Sequence, residues 1–193
     1  MWIKICGMTG RDAVQAAIDA GVNAIGFVFA PSKRQLNVLQ ANELARGVPA
    51  HILRVAVMQH PSQALVDEVC STFKPDVLQT DYEDLPGLHV PAGVQVFPVV
   101  RAGKQAPSPL PPRILFEGPV SGTGTTADWH HASDLAKQTQ LILAGGLNAQ
   151  NVADAIVRVK PFGVDVSSGV ESTPGVKDAK KILEFARAVR ESE

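Results

Sequence analysis

The sequence predicts an α/β protein built as a small (β/α)8 barrel, and three observations support this. Short apolar runs alternate with helix-like segments along the whole chain. These runs fill the eight strand–helix slots of a closed barrel, whereas a doubly wound sheet usually has about five or six strands. The 193 residues are enough for one buried core and few for two, so we expect a single domain over residues 1–193.

Regular strand–helix pairs occupy the first three slots. Their strands are predicted at residues 2–6, 23–29 and 53–58. The first helix is predicted from residue 9 or 10 to residue 20, and the next two at residues 38–46 and 62–73. Gly21 follows the first helix and provides a C-terminal stop. The third helix is amphipathic, since its apolar residues form one stripe that runs from Leu65 through Cys70 to Phe73.

The fourth and fifth slots lack good helices. Residues 106–112 read APSPLPP, and proline removes a backbone donor and clashes with the preceding helical turn. We therefore expect the fourth and fifth helical slots to be shortened or missing. The strands of slots four to eight are predicted at residues 76–79, 94–100, 113–117, 140–144 and 163–166, and the last three helices at 128–138, 148–158 and 176–190.

Composition excludes several classes of protein. Hydrophobic residues make up 45% of the chain, charged residues 19%, and the net charge is −1, as in ordinary globular proteins. No cluster of Lys and Arg suggests a nucleic-acid partner, and no apolar run suggests a membrane span or signal peptide. Two cysteines, Cys6 and Cys70, do not make a disulfide framework. We expect a cytoplasmic protein that acts on a small molecule.

Two small-residue loops predict a phosphate site. In such barrels the active site lies at the C-terminal ends of the strands, often with a phosphate held by the loops after strands 7 and 8. The predicted phosphate-binding residues are Gly145, Gly146, Ser167, Ser168 and Gly169. Small residues let backbone N–H groups approach an anion closely, and a following helix adds a favourable dipole. The alternative is that both segments are tight turns that require positive φ.

Cys6 ends the first strand, at the predicted barrel mouth. A free cysteine is more often a small buried hydrophobe, which is our interpretation of Cys70. A thiol acts as a base only if a positive charge or donor stabilises its thiolate. Side chains alternate along a strand, so Lys4 and Cys6 point to the same side. We expect Lys4 to pair with an inward carboxylate, Glu117 or Asp165, and to stabilise the Cys6 thiolate.

Asp128 and Arg34 each have two interpretations. Asp128 follows a loop rich in Gly, Thr and Ser, and spacing alone favours an N-cap for the next helix. Arg34 follows strand 2, where it is either a solvated charge or a bidentate carboxylate ligand. The five histidines show no metal-binding spacing, and nothing suggests a nucleotide, so we expect neither metal nor cofactor.

Several segments together resemble one family, the phosphoribosylanthranilate isomerases of tryptophan biosynthesis. They run in order along the chain: KICGMT at 4–9, GFVF at 26–29, SKR at 32–34, GTG at 122–124, DW at 128–129, LAGGL at 143–147 and GVDVSSGVE at 163–171. The resemblance implies a TIM barrel and a cofactor-free Amadori rearrangement of N-(5-phosphoribosyl)anthranilate to 1-(2-carboxyphenylamino)-1-deoxyribulose 5-phosphate. It implies either a monomer or a homodimer.

The same resemblance implies roles for individual residues. Asp128 would be the general acid that opens the furanose ring, and Cys6 the general base that removes the C2′ proton. Arg34 would bind the anthranilate carboxylate and Asp165 the ribose hydroxyls. The chain departs from the family pattern after strand 4, where residues 79–82 read QTDY instead of QLHG, and at strand 6, which ends in Glu117 instead of Asp.

Two other classes compete with this interpretation. Another phosphosugar enzyme on a barrel scaffold would carry a different catalytic pair and would have no need of Cys6. A non-catalytic phosphate-binding barrel would keep the loops after strands 7 and 8 but would not need Cys6 and Asp128 together.

Overall fold

The computed structural model describes residues 1–119 and 128–192, and its eight parallel strands close into a barrel. The strands are β1 (Trp2–Cys6), β2 (Ala24–Val28), β3 (Leu53–Val57), β4 (Val77–Asp81), β5 (Gln95–Arg101), β6 (Arg113–Glu117), β7 (Gln140–Leu143) and β8 (Gly163–Val166). Each strand pairs with the next, and β1 pairs with β8 to complete the circle. The predicted (β/α)8 class is confirmed.

Helices cover the barrel unevenly. They are α1 (Arg11–Asp19), α2 (Val38–Ala45), α3 (Gln63–Thr72), α4 (Trp129–Ala136), α5 (Val152–Val159) and α6 (Ala179–Glu191). A short 3-10 segment (Tyr82–Gly87) follows β4, and residues 102–112 after β5 contain no helix. The expectation that the fourth and fifth helical slots are reduced is therefore confirmed. None of the described helices is long and apolar enough to span a bilayer.

Several predicted boundaries are wrong, and three of them bear on the site. Strand β4 continues beyond residue 79 to Asp81. Helix α5 begins at Val152 instead of residue 148, because Asn148 and Asn151 exchange side-chain-to-backbone hydrogen bonds of 2.8 and 3.1 Å that hold a turn. The last helix begins at Ala179 instead of residue 176.

A hairpin precedes this last helix. Residues 168–170 form one 3-10 turn, and strands β9 (Glu171–Thr173) and β10 (Val176–Lys177) then pair in antiparallel fashion. Asp178 ends the hairpin and caps α6, accepting hydrogen bonds from the next helical N–H groups. The hairpin was not predicted, since its strands are only three and two residues long.

Side-chain alternation divides the core into two parts. Inward-facing residues such as Val55, Phe97 and Ile142 fill the barrel, whereas outward-facing residues pack beneath the helices. Under helix α3, Phe73 packs edge-to-face on Phe27 and on Phe29, with ring centroids 5.3 and 5.6 Å away. This aromatic cluster supports strand β2 and the loop that follows it.

Replacing Phe73 with Ala removes a fully buried ring and leaves a cavity between α3 and β2. We expect Phe73→Ala to lower the free energy of unfolding by about 3–5 kcal/mol, measured by urea titration. Leu39→Ala is the control, because Leu39 is 75% exposed and its loss should change stability by less than about 0.5 kcal/mol. Equal effects of the two substitutions would contradict this account of the core.

Candidate active site

A cavity opens at the C-terminal ends of the strands, where side chains from opposite walls converge. The residues with polar or reactive side chains that line it are Cys6, Ser32, Arg34, Gln59, Gln79, Arg101, Glu117, Asp165, Ser167 and Ser168. Gly145 and Gly146 also line the cavity. Strand direction and alternation explain this gathering, since all eight strands end at the same rim. The structure thus brings together most of the predicted site residues.

Lys4 lies inside the barrel with no exposed surface and pairs with Asp165. Its Nζ is 2.9 Å from Asp165 Oδ1, and the two residues are register partners where β1 meets β8. Burial alone would lower the pKa of Lys4, but the charges of Asp165 and Cys6 outweigh it and raise that pKa. Of the two predicted partners, Asp165 is therefore correct, and Glu117 pairs elsewhere.

Cys6 sits directly above Lys4 on the same face of β1. Burial raises the pKa of the Cys6 thiol, and Asp165 adds to this, while Lys4 and Lys177 oppose it. Lys4 thus favours the thiolate, as expected, but does not overcome burial. Gly26 on the neighbouring strand makes room for both side chains, because a Cβ there would lie 2.9 Å from Cys6 Sγ and 3.2 Å from Lys4 Cε.

Arg34 forms a bidentate ion pair that sequence reasoning missed. Its Nε and Nη2 donate to the two carboxylate oxygens of Glu171 at 2.6 and 2.9 Å. Lys177 Nζ lies 2.7 Å from the same carboxylate and also donates to Ser167. Burial would raise the pKa of Glu171, but hydrogen bonds from Arg34 and Lys177 lower it to about 2.

The two predicted phosphate loops lie side by side at the rim. Gly145 and Gly146 both have positive φ, 93° and 64°, so each also satisfies the tight-turn interpretation. Gly169 does not line the cavity; a Cβ there would lie 1.9 Å from the Leu147 carbonyl oxygen, so it serves close packing of the two loops. The loop after β8 runs directly into the short 3-10 segment at residues 168–170, whereas α5 and α6 begin further along the chain, at Val152 and Ala179.

A second charged group closes the opposite wall. Arg101, at the end of β5, donates to Glu117 at 2.5 Å and lies 2.7 Å from Asp81 Oδ1. All three residues face inward from the last positions of β4, β5 and β6. Of these three residues, the sequence indicates only Glu117 as an inward carboxylate. Strand alternation identifies Asp81 and Arg101 as well once β4 and β5 are extended by two residues and one residue.

Asp128 stands apart from this gathering. Its side chain is exposed, accepts hydrogen bonds from the His130 and His131 N–H groups at 3.0 and 3.1 Å, and caps helix α4. It is not among the cavity-lining residues. The geometry supports the N-cap interpretation. The GTG segment at 122–124 lies outside the described residues.

One cluster in the described ranges has the composition of a cation site. Ligand atoms of His60, Asp81 and Asp84 lie within 4.8 Å of one another. Arg101 already forms an ion pair with Asp81. His60 Nδ1 lies 2.7 Å from an Asp84 carboxylate oxygen, and this hydrogen bond raises the pKa of His60. We therefore assign this cluster to holding the loops after β3 and β4 together.

Comparison with known proteins agrees with this geometry. The family model "N-(5'-phosphoribosyl)anthranilate (PRA) isomerase" matches residues 3–188. The chain is 38% identical to N-(5'-phosphoribosyl)anthranilate isomerase of Streptococcus pneumoniae over 97% of its own length and 95% of that protein. The chain belongs to the phosphoribosylanthranilate isomerase family. It is therefore an isomerase of tryptophan biosynthesis.

Solved isomerase structures share the whole fold. The crystal structure of TrpF from Jonesia denitrificans has a TM-score of 0.84 and 35% identity, covering 100% of this chain and 98% of that one. A phosphoribosyl anthranilate isomerase in complex with reduced 1-(o-carboxyphenylamino)-1-deoxyribulose 5-phosphate has a TM-score of 0.80 and 27% identity, covering 99% of each chain.

Lys4 should hold the Cys6 thiol of this isomerase nearer to ionisation than burial alone would allow. In a Cys70→Ser background Cys6 is the remaining cysteine, and Lys4→Met should raise its pKa further because the favourable charge is lost. The pH dependence of iodoacetamide alkylation measures this shift. Lys33→Met, at an exposed lysine, should leave the thiol unchanged. An unaltered Cys6 pKa in Lys4→Met would refute the stabilising role.

The stability that Glu171 gives to the isomerase should be lost in acid. Because its folded pKa of about 2 lies below the ordinary value, its contribution is complete above about pH 4.5 and is lost as the pH falls towards 2. The free energy of unfolding of Glu171→Gln should fall less steeply over this range, by less than about 1.4 kcal/mol per pH unit. Glu184→Gln, at an exposed helical position, should keep the original slope; identical slopes for all three proteins would contradict the assignment.

Proposed function

We propose that the cavity carries out the isomerisation by general acid–base catalysis, with Cys6 as the base and Asp128 as the acid. The observation that supports this proposal is the place of Cys6 in the cavity, above Lys4 and beside Asp165. Asp128 is exposed at the start of α4, the helix that follows β6, and it is the acid that the family motif implies. Catalytic hydrogen bonds often form only once the substrate is bound, so the acid does not need to line the empty cavity.

The reaction needs one proton delivered and one removed. The acid protonates the furanose ring oxygen, the C1′–O bond breaks, and the anilino nitrogen lone pair forms an iminium. The Cys6 thiolate then removes the C2′ proton, the C–H electrons form the C1′–C2′ double bond, and the nitrogen recovers its lone pair. The resulting enolamine tautomerises to the ketone by losing the 2′-hydroxyl proton and gaining one at C1′, so no proton is gained or lost overall.

Two features prepare the catalytic groups for these steps. Lys4 lies beneath Cys6 and favours the thiolate form that must accept the C2′ proton. Asp128 accepts hydrogen bonds from the His130 and His131 N–H groups, which fix its carboxyl at the start of α4.

The remaining cavity residues are proposed to bind the substrate. Arg34 has the planar donors suited to the anthranilate carboxylate. Asp165, at the cavity floor beside Cys6, can accept hydrogen bonds from ribose hydroxyls. Gly145, Gly146, Ser167 and Ser168 offer backbone and hydroxyl donors for the phosphate at the rim, with Gly169 packing behind them.

Substitution of the two acid candidates separates them. Asp128→Asn and Cys6→Ala should each lower kcat by about 10²–10⁴-fold, since each removes a proton-transfer group. Asn is also a good helix cap, so the loss in Asp128→Asn reports the acid and not the helix, whereas Glu117→Gln should lower kcat much less. Turnover is followed by the loss of anthranilate-adduct fluorescence with freshly made phosphoribosylanthranilate. Full turnover by Asp128→Asn, together with a hundredfold loss in Glu117→Gln, would transfer the acid role to Glu117, which lines the cavity.

A further inference from the structure

We propose that Glu171, supported by Lys177, positions Arg34 and thereby makes the site selective for a substrate ring that carries a carboxylate. The proposal deepens the proposed function and rests on Arg34 being the group that binds that carboxylate. Glu171 does not line the cavity itself, so it would act through Arg34 as a positioning residue.

Glu171 holds one edge of the Arg34 guanidinium. The two hydrogen bonds, from Nε at 2.6 Å and Nη2 at 2.9 Å, lie side by side on that edge. A guanidinium has five N–H donors in one plane, so the described contacts with Glu171 leave the edge formed by Nη1 and Nη2 with its own pair of parallel donors. Since Arg34 lines the cavity, that second edge matches a ligand carboxylate there.

Glu171 is itself fixed by the hairpin β9–β10. Its carboxylate accepts hydrogen bonds from Lys177 Nζ at 2.7 Å and from the Gly175 N–H at 3.2 Å. Its backbone carbonyl accepts one from Lys181 Nζ at 2.7 Å. Glu171 is thus a rigid anchor, and Arg34 takes its orientation from the hairpin.

The stem of Arg34 is confined as well. It crosses directly over Gly7, where a Cβ would lie 2.5 Å from Arg34 Cδ. Gly7 follows Cys6 in the chain, so this contact sets the guanidinium beside the base. Ordering a long arginine side chain costs conformational entropy. Because Glu171 orders Arg34 before the substrate binds, less entropy is lost on binding.

The charges leave an attraction for an anion. Arg34 and Lys177 carry two positive charges and Glu171 one negative charge, so the group keeps a net charge of +1. A purely structural ion pair needs only one cation for its carboxylate. The second cation allows Glu171 to bind Arg34 tightly without cancelling the field that draws a carboxylate to the cavity.

A competition experiment tests the selectivity. The enzyme is given N-(5-phosphoribosyl)anthranilate and its carboxylate-free analogue N-(5-phosphoribosyl)aniline together, and chromatography follows the consumption of each. The ratio of the two kcat/KM values does not depend on how much enzyme is folded, so partial unfolding of a variant cannot imitate the effect. We expect the original enzyme to prefer the carboxylated substrate by about 10- to 100-fold, the value of a charge-assisted contact.

Four variants decide the outcome. Arg34→Met and Glu171→Gln should both lower the preference to about threefold or less, since Gln replaces one acceptor oxygen with a donor that Arg34 cannot use. The double variant Glu171→Gln/Lys177→Met, which leaves no unpaired lysine, should behave like Glu171→Gln. Glu184→Gln, an exposed Glu on α6, should keep the full preference.

Two results would overturn the proposal in distinguishable ways. If Arg34→Met loses the preference while Glu171→Gln and the double variant keep it, Arg34 binds the carboxylate without help from Glu171. If Arg34→Met keeps the preference, Arg34 does not bind the carboxylate, and that part of the proposed function falls with the inference.

Discussion

The buried ion pair between Lys4 and Asp165 is the constraint on which the rest of the site depends. It joins β1 to β8 at register partners, on the seam where the barrel closes. A lysine with no exposed surface would be very costly inside an apolar barrel without this partner. Once the pair is formed, the alternation of β1 places Cys6, two residues further along the strand, on the same face as Lys4. Gly26 leaves the space that the side chains of Lys4 and Cys6 occupy.

Two charged groups stand on opposite walls above this pair, and each ties separate elements of the barrel together. Arg34 with Glu171 and Lys177 unites the loop after β2 with the hairpin after β8. Arg101 with Asp81 and Glu117 unites the ends of three adjacent strands. The first group suits recognition, because it retains a positive charge. The second fixes the far side of the rim, because Arg101 forms ion pairs with residues from two neighbouring strand ends.

The sequence predicts the fold well, because strand and helix periodicities depend on local pattern. The reduced fourth and fifth slots follow directly from the prolines of residues 106–112. Alternation alone predicts that Lys4 pairs with one of two inward carboxylates, Glu117 or Asp165. The choice of Asp165 required the register of β1 against β8, which depends on barrel closure and not on local sequence.

Contacts between residues far apart in the sequence could not be predicted. Glu171 meets Arg34 across 137 positions, and its hairpin strands are too short to give a periodic signal. Asp128 shows the converse limit, because a cap and a catalytic acid call for the same residue type before a helix. Asp81 lies outside the predicted fourth strand, which ends two residues earlier, at Gln79.

The burial that raises the pKa of Cys6 also bears on oxidative damage. Conversion of a cysteine to sulfenic acid follows thiolate character and exposure, and Cys6 is 7% exposed and favours its neutral thiol. The buried thiol that we propose as the base is thus in a form that resists oxidation by peroxide. A more acidic thiol at the same position would be a readier base and a more fragile one.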